Sequence, residues 1–415
     1  MVNLTTVSQA LKVLYINPIR EFVNMQADPF AARILQTSDN ITGYQKIVRA
    51  VQIGANGGAG AGTETGVLPQ AGENLYKQFE SDTKNLYGTI SISDKVMKSA
   101  TGADAGSFIN ALQRDVDTLV KTLKWSVARQ IYGDGTGILV KLGTASSGAT
   151  ELTIQAGSNS RNLLPGLSVD VYNAAGTKVS SNSAVTRIVD VNHSTGKVKI
   201  DTALTGNVTA GGYITMQGSK DLELTGLGKI FNPTTFTELY GLTRSNYSWM
   251  NPTVNSAFGE ITEWGLQDAI NQIEDTYDVN INHIAAGNKA YNSYMKLLNS
   301  RRAINDTMIL EGGFKALIFN GRPVTRNKFL DDTTIDLYDT SLFTIDQIAD
   351  WEWLDDDVHG ILQRNARYAT YEGSIAKYCD LMCRLPGGIA RLNGVADPSA
   401  TKVAVDGTVT TVSGS

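Results

Sequence analysis

The sequence predicts an α+β protein in which a projecting two-stranded arm, one long amphipathic helix and an all-β segment follow one another. Three observations lead to this prediction. A glycine-rich stretch at 54–66 separates two extended runs, apolar residues recur every three or four positions from Phe108 to Ile131, and residues 138–226 alternate between polar and apolar. The chain has 415 residues, which is enough for two or three domains.

The composition is that of ordinary soluble globular proteins, with 42% hydrophobic and 19% charged residues. The net charge is −5, and no stretch is rich in Lys or Arg. A protein that grips phosphate backbones needs such a stretch, so DNA near this chain is expected to be enclosed without sequence-specific contact. No run of about 18 apolar residues and no basic leader occurs, and neither membrane insertion nor secretion is expected.

Residues 1–43 are predicted to form an N-terminal arm. Its first helix would be capped by Thr6 and would carry Val7, Leu11 and Leu14 on one side. Residues 44–93 are predicted to form an extended loop of two strands. Because charged residues occupy both faces of the runs at 44–53 and 75–93, neither strand is expected to have a core side. Glycine makes the tip at 54–66 conformationally free.

Residues 94–137 are predicted to form a body around a helix at 107–132. Ser107 is expected to cap its start and Gly133 to end it. After Phe108, its apolar stripe continues through Leu112, Val116, Leu119, Leu123, Val127 and Ile131.

The all-β segment at 138–226 is poor in aromatic residues and rich in turn signals, as in a small sandwich or barrel inserted into the body. Residues 227–258 return to the body, and 259–330 are predicted to contain two helices, a strand and a hairpin that turns at Asn320-Gly321. Trp264 falls on the apolar stripe of the first of these helices, where core packing is favoured over a role as an interface anchor. Further strands are expected in 331–397, and the polar tail at 398–415 is expected to be flexible.

Motifs for catalysis or metal binding are weak throughout. The tip segment GAGAGTETG lacks the GK[ST] of a phosphate-binding loop, and GDGTG, which contains Asp134, lacks the closing Glu of a calcium loop. Cys379 and Cys383 fall on one face of a predicted strand, too far apart for a disulfide, and are expected to be buried thiols. No cofactor is expected.

The remaining candidates are better explained as structure. The acidic run 355–357, with His359, Asp350 and Glu352 nearby, is expected to be a solvated hairpin turn. His193 and His283 have no Ser or Cys motif with which to pair, so no enzyme activity is predicted.

Taken in order, these pieces resemble the major capsid protein of tailed bacteriophages, the Hong Kong 97 type of shell subunit. The resemblance lies in GTETGVLPQAGE with LYGTISISDKVMKSA, in ALQRDVDTLVKTLKWSVARQIYGDGTG, and in ITEWGLQDAINQIEDTY, FNGRPVTRNKFL and KYCDLMCRLPGGIARLNGV. It covers nearly the whole chain outside the β insertion.

The resemblance implies an N-terminal arm, an extended loop, a spine helix and an axial domain. It implies hexamers and pentamers of an icosahedral virion capsid around double-stranded DNA, assembled in the host cytoplasm with a portal protein and, in some members, a decoration protein. Only about forty residues precede the loop, fewer than a usual domain, so a separate scaffolding protein is expected.

The extended loop is where the resemblance places contacts between subunits. The candidates are Gly54, Gly57, Gly58, Gly60, Gly62, Glu64, Leu68, Tyr76, Lys77 and Phe79. Some family members join subunits through a Lys–Asn isopeptide bond, for which Lys77 and Lys84 are the candidate lysines here, although exposed lysines also simply solvate a strand.

Two alternatives stay open. An encapsulin, a bacterial compartment with a related fold, would share most of these features but not the β insertion and the longer glycine-rich loop. A surface adhesin or glycan-binding protein would explain the Ser/Thr/Asn-rich insertion but not the long helix.

Overall fold

The computed structural model describes residues 16–42, 46–54, 58–67, 72, 75–95, 105–300, 307–310, 315–354, 361–365, 368–396, 401–403 and 409–411. The predicted helix capped by Thr6 and the acidic turn at 355–360 lie outside these residues. Five helices are described: α1 (Ile16–Met25), α2 (Ala105–Tyr132), α3 (Leu227–Ile230), α4 (Glu263–Tyr277) and α5 (Asn288–Ser300).

The strands of the described residues are, in chain order, β1 (Leu35–Thr37), β2 (Ile41–Thr42), β3 (Lys46–Gln52), β4 (Tyr76–Asp82), β5 (Lys84–Ser93), β6 (Ile138–Leu142), β7 (Glu151–Thr153), β8 (Ser168–Tyr172), β9 (Thr186–Asn192), β10 (Lys197–Ile200), β11 (Gly212–Met216), β12 (Glu238–Leu239), β13 (Leu242–Thr243), β14 (Thr253–Asn255), β15 (His283–Ala286), β16 (Thr307–Ile309), β17 (Lys315–Phe319), β18 (Arg322–Arg326), β19 (Ile335–Tyr338), β20 (Phe343–Trp353), β21 (Gln363–Arg364), β22 (Thr370–Cys383), β23 (Ala390–Leu392), β24 (Thr401–Val403) and β25 (Val409–Thr411). The protein is therefore α+β, as predicted.

The predicted long helix is confirmed as α2, whose 28 residues make a rod of about 42 Å. It begins at Ala105, so Ser107 lies inside the first turn and the predicted cap is wrong. It ends before Gly133, as predicted. From Val116 onward the predicted stripe is buried or half-buried, while the side chains of Phe108 and Leu112 lie outside the described part. The stripe packs on β5, where Gly88 leaves room for Leu119 and Leu123.

The apolar stripe of α2 packs against a five-stranded sheet, the main sheet. β1, β20, β22 and β21 lie in that order, and β5 pairs antiparallel with β22 over its whole length. Cys379 and Cys383 lie on β22 as buried free thiols, as predicted. The helix α1 also packs here, with Ile19, Val23 and the following Phe30 in the main core. Residues 16–34 are thus part of the body, which corrects the prediction of an arm for this part of 1–43.

The segment after α2 forms a separate six-stranded antiparallel sheet in the order β6-β11-β8-β9-β10-β7. Hydrogen bonds from Gly143 N to Thr153 O and from Gln155 N to Lys141 O, both 2.9 Å, join its two ends. The sheet therefore closes into a small barrel, which leaves few unpaired strand edges. Its core is its own apart from Trp125 of α2 and Phe329, which pack against it.

A third core lies between a seven-stranded sheet, ordered β14-β23-β19-β15-β18-β17-β16, and the helices α4 and α5. The predicted hairpin is confirmed as β17–β18, in which Asn320 and Gly321 both have positive φ, 45° and 78°. The prediction for Trp264 is wrong, because this side chain is 84% exposed. The buried face of α4 is set by Leu266, Ile270 and Ile273, and at ~100° per residue Trp264 lies ~120° away from Ile270.

The predicted flexible tail contains a described antiparallel pair, β24 with β25.

Candidate functional site

The extended loop is a hairpin whose base belongs to a small antiparallel sheet of β2, β3 and β4. The register runs from Lys46 opposite Asp82 to Gln52 opposite Tyr76, and the chain between Gln52 and Tyr76 forms the loop. The prediction that these strands lack a core side is wrong. Ile47 and Val51 are buried on β3 and Phe79 on β4, so one face of the base packs on the body.

The charge pattern concealed this core face because two cations lie on it. Arg49 is the cross-strand partner of Phe79, and its guanidinium donates to Thr344 Oγ1 of the main sheet. Lys77 shares the same face, with its Nζ 5.3 Å from the ring centroid of Tyr247. Both cations have partners within the chain, so the alternation of buried and exposed residues along β3 and β4 is kept despite their charge.

Phe79, which the resemblance places among the contacts between subunits, faces the interior of its own chain. The side chain is fully buried, with ring centroids 5.2 Å from Tyr240 and 5.6 Å from Trp249. The backbone follows, because Glu80 N donates to Tyr240 O at 3.0 Å. Phe79 therefore anchors the loop to the segment that follows the barrel.

Beyond this base, residues 58–67 of the loop face solvent, whereas Ile53, Gly54 and Gly72 are half-buried. Every residue from Gly58 to Val67 is exposed, including Gly60, Gly62 and Glu64. Val67 is 94% exposed, Leu75 59% and Tyr76 56%, so apolar groups on the loop face solvent in the single chain. Gly54 is half-buried against Leu75, while Gly57 and Leu68 lie outside the described residues.

The candidate crosslink lysines lie on the strands and not at the tip. Lys77 is on β4, and Lys84 begins β5, where it is the Cα partner of Cys379 in the main sheet. Both residues are half-buried.

Two buried polar groups fasten residues 28–33 to the body. Asp28 accepts hydrogen bonds from Tyr132 Oη, Phe30 N and Asn327 Nδ2, and its burial raises the pKa of this carboxyl to about 6. His283 lies against Arg33, whose Nη1 is 3.3 Å from His283 Nδ1.

The tautomer of His283 follows from its partners. Arginine can only donate, so Nδ1 accepts, and Nε2–H donates to Thr325 Oγ1 at 3.0 Å. Thr325 Oγ1 in turn donates to Ile284 O at 3.2 Å. Burial, and secondarily the charge of Arg33, lower the pKa of His283 to about 3, so the ring is neutral. The side chains of Asp28 and His283 are both buried, so we assign them a structural role.

The described residues of the weak motifs make contacts within the chain, and Asp350, expected near a solvated turn, is half-buried on β20. Asp134 Oδ1 accepts from Thr136 N at 3.0 Å within the turn after α2, and the ring of exposed His193 contacts Ser160. Asp350 accepts hydrogen bonds from Asn24 and Lys377. Within the described residues, no three His, Cys, Asp or Glu side chains form a group able to hold a metal ion. No described helix combines the length and hydrophobicity needed to cross a membrane.

Sequence reasoning missed the polar residues of the main sheet that contact the base of the loop. Asp346 and Asp380, on β20 and β22, contact Arg49, Asn40 and Ser81. The only signal in the sequence was the presence of Asp at positions that otherwise continue buried strands.

No protein-family model and no curated protein matches the chain. Among solved structures, it is similar to a chain of the cyanophage A-1(L) capsid asymmetric unit, at 9% identity and a TM-score of 0.49 over 90% of this chain and 92% of that one. It is similar to a chain of the native GTA particle capsid at 11% identity and a TM-score of 0.45, over 87% and 95%. A third similar structure is the holo-SrpI encapsulin complex from Synechococcus elongatus PCC 7942, at 10% identity and a TM-score of 0.37, over 78% of each chain.

Proposed function

We propose that this chain is a major capsid protein of a tailed bacteriophage, a structural protein that assembles with copies of itself into the hexamers and pentamers of an icosahedral head. The observation that carries the proposal is the extended loop: its base is packed into the body through Phe79, while its tip exposes Val67 and flanking apolar groups. A loop with a buried base and exposed apolar side chains is expected of an element that another copy of the chain covers.

The rest of the molecule supports an architectural role. The α2 rod joins the five-stranded sheet to the barrel, through Trp125 and through the buried pair of Arg129 with Glu223. Many modest contacts of such a subunit add by multivalency in a closed shell. This is the property that a container under internal pressure needs.

The proposed content of the shell is double-stranded DNA, held without sequence-specific contact. The net charge of −5 and the lack of a basic stretch support this, because tight binding to an inner wall would oppose genome packaging. A separate scaffolding protein, a portal protein and a decoration protein are the partners proposed with it, in the virion and during assembly in the host cytoplasm.

The test is a shortened loop that keeps the base. Because Gln52 and Tyr76 are paired across the hairpin, residues 53–75 can be replaced by Asn-Gly, which closes a two-residue turn. Electron microscopy of the unaltered chain, co-expressed with its scaffolding protein, is expected to show closed particles of uniform size. The shortened chain is expected to fold, as judged by circular dichroism and a cooperative thermal transition, but to yield no closed particles.

Uniform closed particles from the shortened chain would overturn the assigned role of the loop. Absence of particles from the unaltered chain would contradict the proposal that this protein forms a shell. Particles that hold a co-encoded protein in place of DNA would assign the encapsulin class.

A further inference from the structure

Two carboxylates lie directly opposite each other inside the main sheet. Asp346 on β20 is the Cα partner of Asp380 on β22, and both side chains are fully buried. Cross-strand partners point to the same face with Cβ atoms ~4.5–5.5 Å apart, and like charges in such a pair repel. This carboxylate pair needs compensation from its surroundings.

The compensating groups belong to the base of the extended loop. Ser81 Oγ of β4 donates to Asp380 Oδ2 at 2.6 Å, and Arg49 Nη1 of β3 lies 4.0 Å from Asp346 Oδ2. Asn40 Nδ2, beside β2, donates to Asp346 Oδ1 at 2.9 Å. All three strands of the loop base are therefore held at one point of the main sheet.

The charge at this point is not balanced when both carboxylates are ionised. Arg49 is the cation closest to the pair, while Arg384 lies near Arg49 and Lys377 near Cys379 on the β22 side. Asp39 adds a negative charge beside Asp346, and Tyr240 lies beside Asp380. Asp346 Oδ2 has no direct hydrogen bond within the described residues, and the side chain of Thr344 is the nearby hydroxyl that favours the ionised form of this carboxyl. Burial raises the pKa of both carboxyls, so this site takes up a proton more readily than an exposed pair.

We propose that the Asp346–Asp380 pair is a proton-binding junction that sets how firmly the base of the extended loop is held to the body. With both carboxylates ionised, their repulsion loosens the contacts to Arg49 and Ser81. With one proton bound to Asp380, the repulsion is gone, Asp346 stays charged near Arg49, and the base is held tightly. The inference rests on the proposed function only in that the loop is the element through which copies would meet.

The variant Asp380→Asn separates charge from hydrogen bonding. Asp380 Oδ1 accepts from Thr225 N at 2.7 Å and Leu381 N at 2.9 Å, which an amide oxygen can also do, and the amide NH2 can donate to Ser81 Oγ. The variant therefore keeps the contacts with Ser81 Oγ, Thr225 N and Leu381 N and removes one charge. Asp346→Asn removes the other charge, and Asp190→Asn changes an exposed carboxylate of the barrel as the matched control.

The measurement is amide hydrogen exchange of unassembled subunits, expressed as protection factors for β3 and β4 relative to the barrel strands. In the unaltered chain these factors are expected to rise roughly tenfold between about pH 7.5 and about pH 4.5, which corresponds to about 1.4 kcal/mol of local opening free energy. Asp380→Asn is expected to give the higher protection at both pH values, and Asp190→Asn to behave like the unaltered chain.

Equal protection of β3 and β4 at the two pH values in the unaltered chain would overturn the proposal. The proposal would also be overturned if the protection factors of β3 and β4 still rose at the lower pH in both Asp380→Asn and Asp346→Asn, because the proton would then bind elsewhere. The measurement needs no particles, so its outcome is independent of whether the chain forms a shell.

Discussion

Phe79 and Trp249 stack with ring centroids 5.6 Å apart and ring planes 21° from parallel, although 170 positions separate them in the sequence. This contact joins the returning strand of the extended loop to the segment that follows the barrel. The base of the loop is therefore part of the folded core of its own subunit. Its exposed residues at 58–67 are the part that we propose reaches another copy.

Replacement of Phe79 by alanine is expected to cost ~3–5 kcal/mol of unfolding free energy, because it leaves a cavity between Tyr240 and Trp249. Urea unfolding followed by tryptophan fluorescence measures this. Tyr76→Ala, three residues away and 56% exposed, is the control and is expected to change stability by less than ~0.5 kcal/mol. Equal effects of the two substitutions would contradict the anchoring role of Phe79.

Trp264 is expected to matter for association and not for folding. A tryptophan with 84% of its surface exposed adds little to subunit stability, whereas tryptophan is enriched at the centres of protein interfaces. Trp264→Ala should leave the melting temperature of the subunit unchanged and lower the yield of particles in sedimentation. Leu266→Ala, on the buried face of the same helix, should do the opposite by lowering the melting temperature. A large loss of melting temperature in Trp264→Ala would contradict this assignment.

Stability is expected to fall in acid through His283. Its folded pKa of about 3 lies below the value of about 6.5 for an exposed histidine, so the unfolded chain binds a proton that the folded chain does not. The contribution is complete above pH ~6.5 and is lost as the pH falls toward 3, by up to ~5 kcal/mol. The unfolding free energy should fall less between about pH 7 and about pH 4.5 in His283→Phe, because the variant has no imidazole to protonate. The variant is expected to fold, because Arg33 and Thr325 keep their hydrogen bonds to Asn282 O and Ile284 O.

Asp28 is expected to act in the opposite direction. Its folded pKa of about 6 lies above the ordinary value of 3.8, so the folded chain binds the proton more tightly than the unfolded chain. This contribution is complete below about pH 4 and is lost as the pH rises through 6, by ~3 kcal/mol. In Asp28→Asn the unfolding free energy should therefore lack this decline between about pH 4.5 and about pH 7. A decline of the same size in the variant would show that another group is responsible.

Mature particles are expected to dissociate into single chains on a denaturing gel. Lys77 and Lys84 are half-buried on strands held to the body, and Lys77 Nζ lies 5.3 Å from the ring of Tyr247, so neither is presented at the tip. A ladder of covalent multimers would contradict this prediction. The substitutions Lys77→Arg and Lys84→Arg, which keep the charge, would then show which lysine forms the bond.

Local patterns predicted the elements with strong periodicity. The stripe from Val116 to Ile131 identified the long helix, and Asn320-Gly321 identified a hairpin, because each rests on interactions between near neighbours. The same reasoning failed for Trp264, where one residue was assigned to a stripe whose true members start at Leu266. It failed again for β3 and β4, where cations on the inner face concealed the alternation.

The sequence by itself determined the order of the elements, the all-β character of the segment after the helix, and the position of a glycine-rich tip between two strands. Only the tertiary structure decided which face of each strand is buried, that Phe79 is an anchor, and that Asp346 and Asp380 meet beneath the loop. The reason is physical: periodicity reports contacts within one element, whereas the partner of Arg49 lies 297 positions away and is brought near only when the sheets pack.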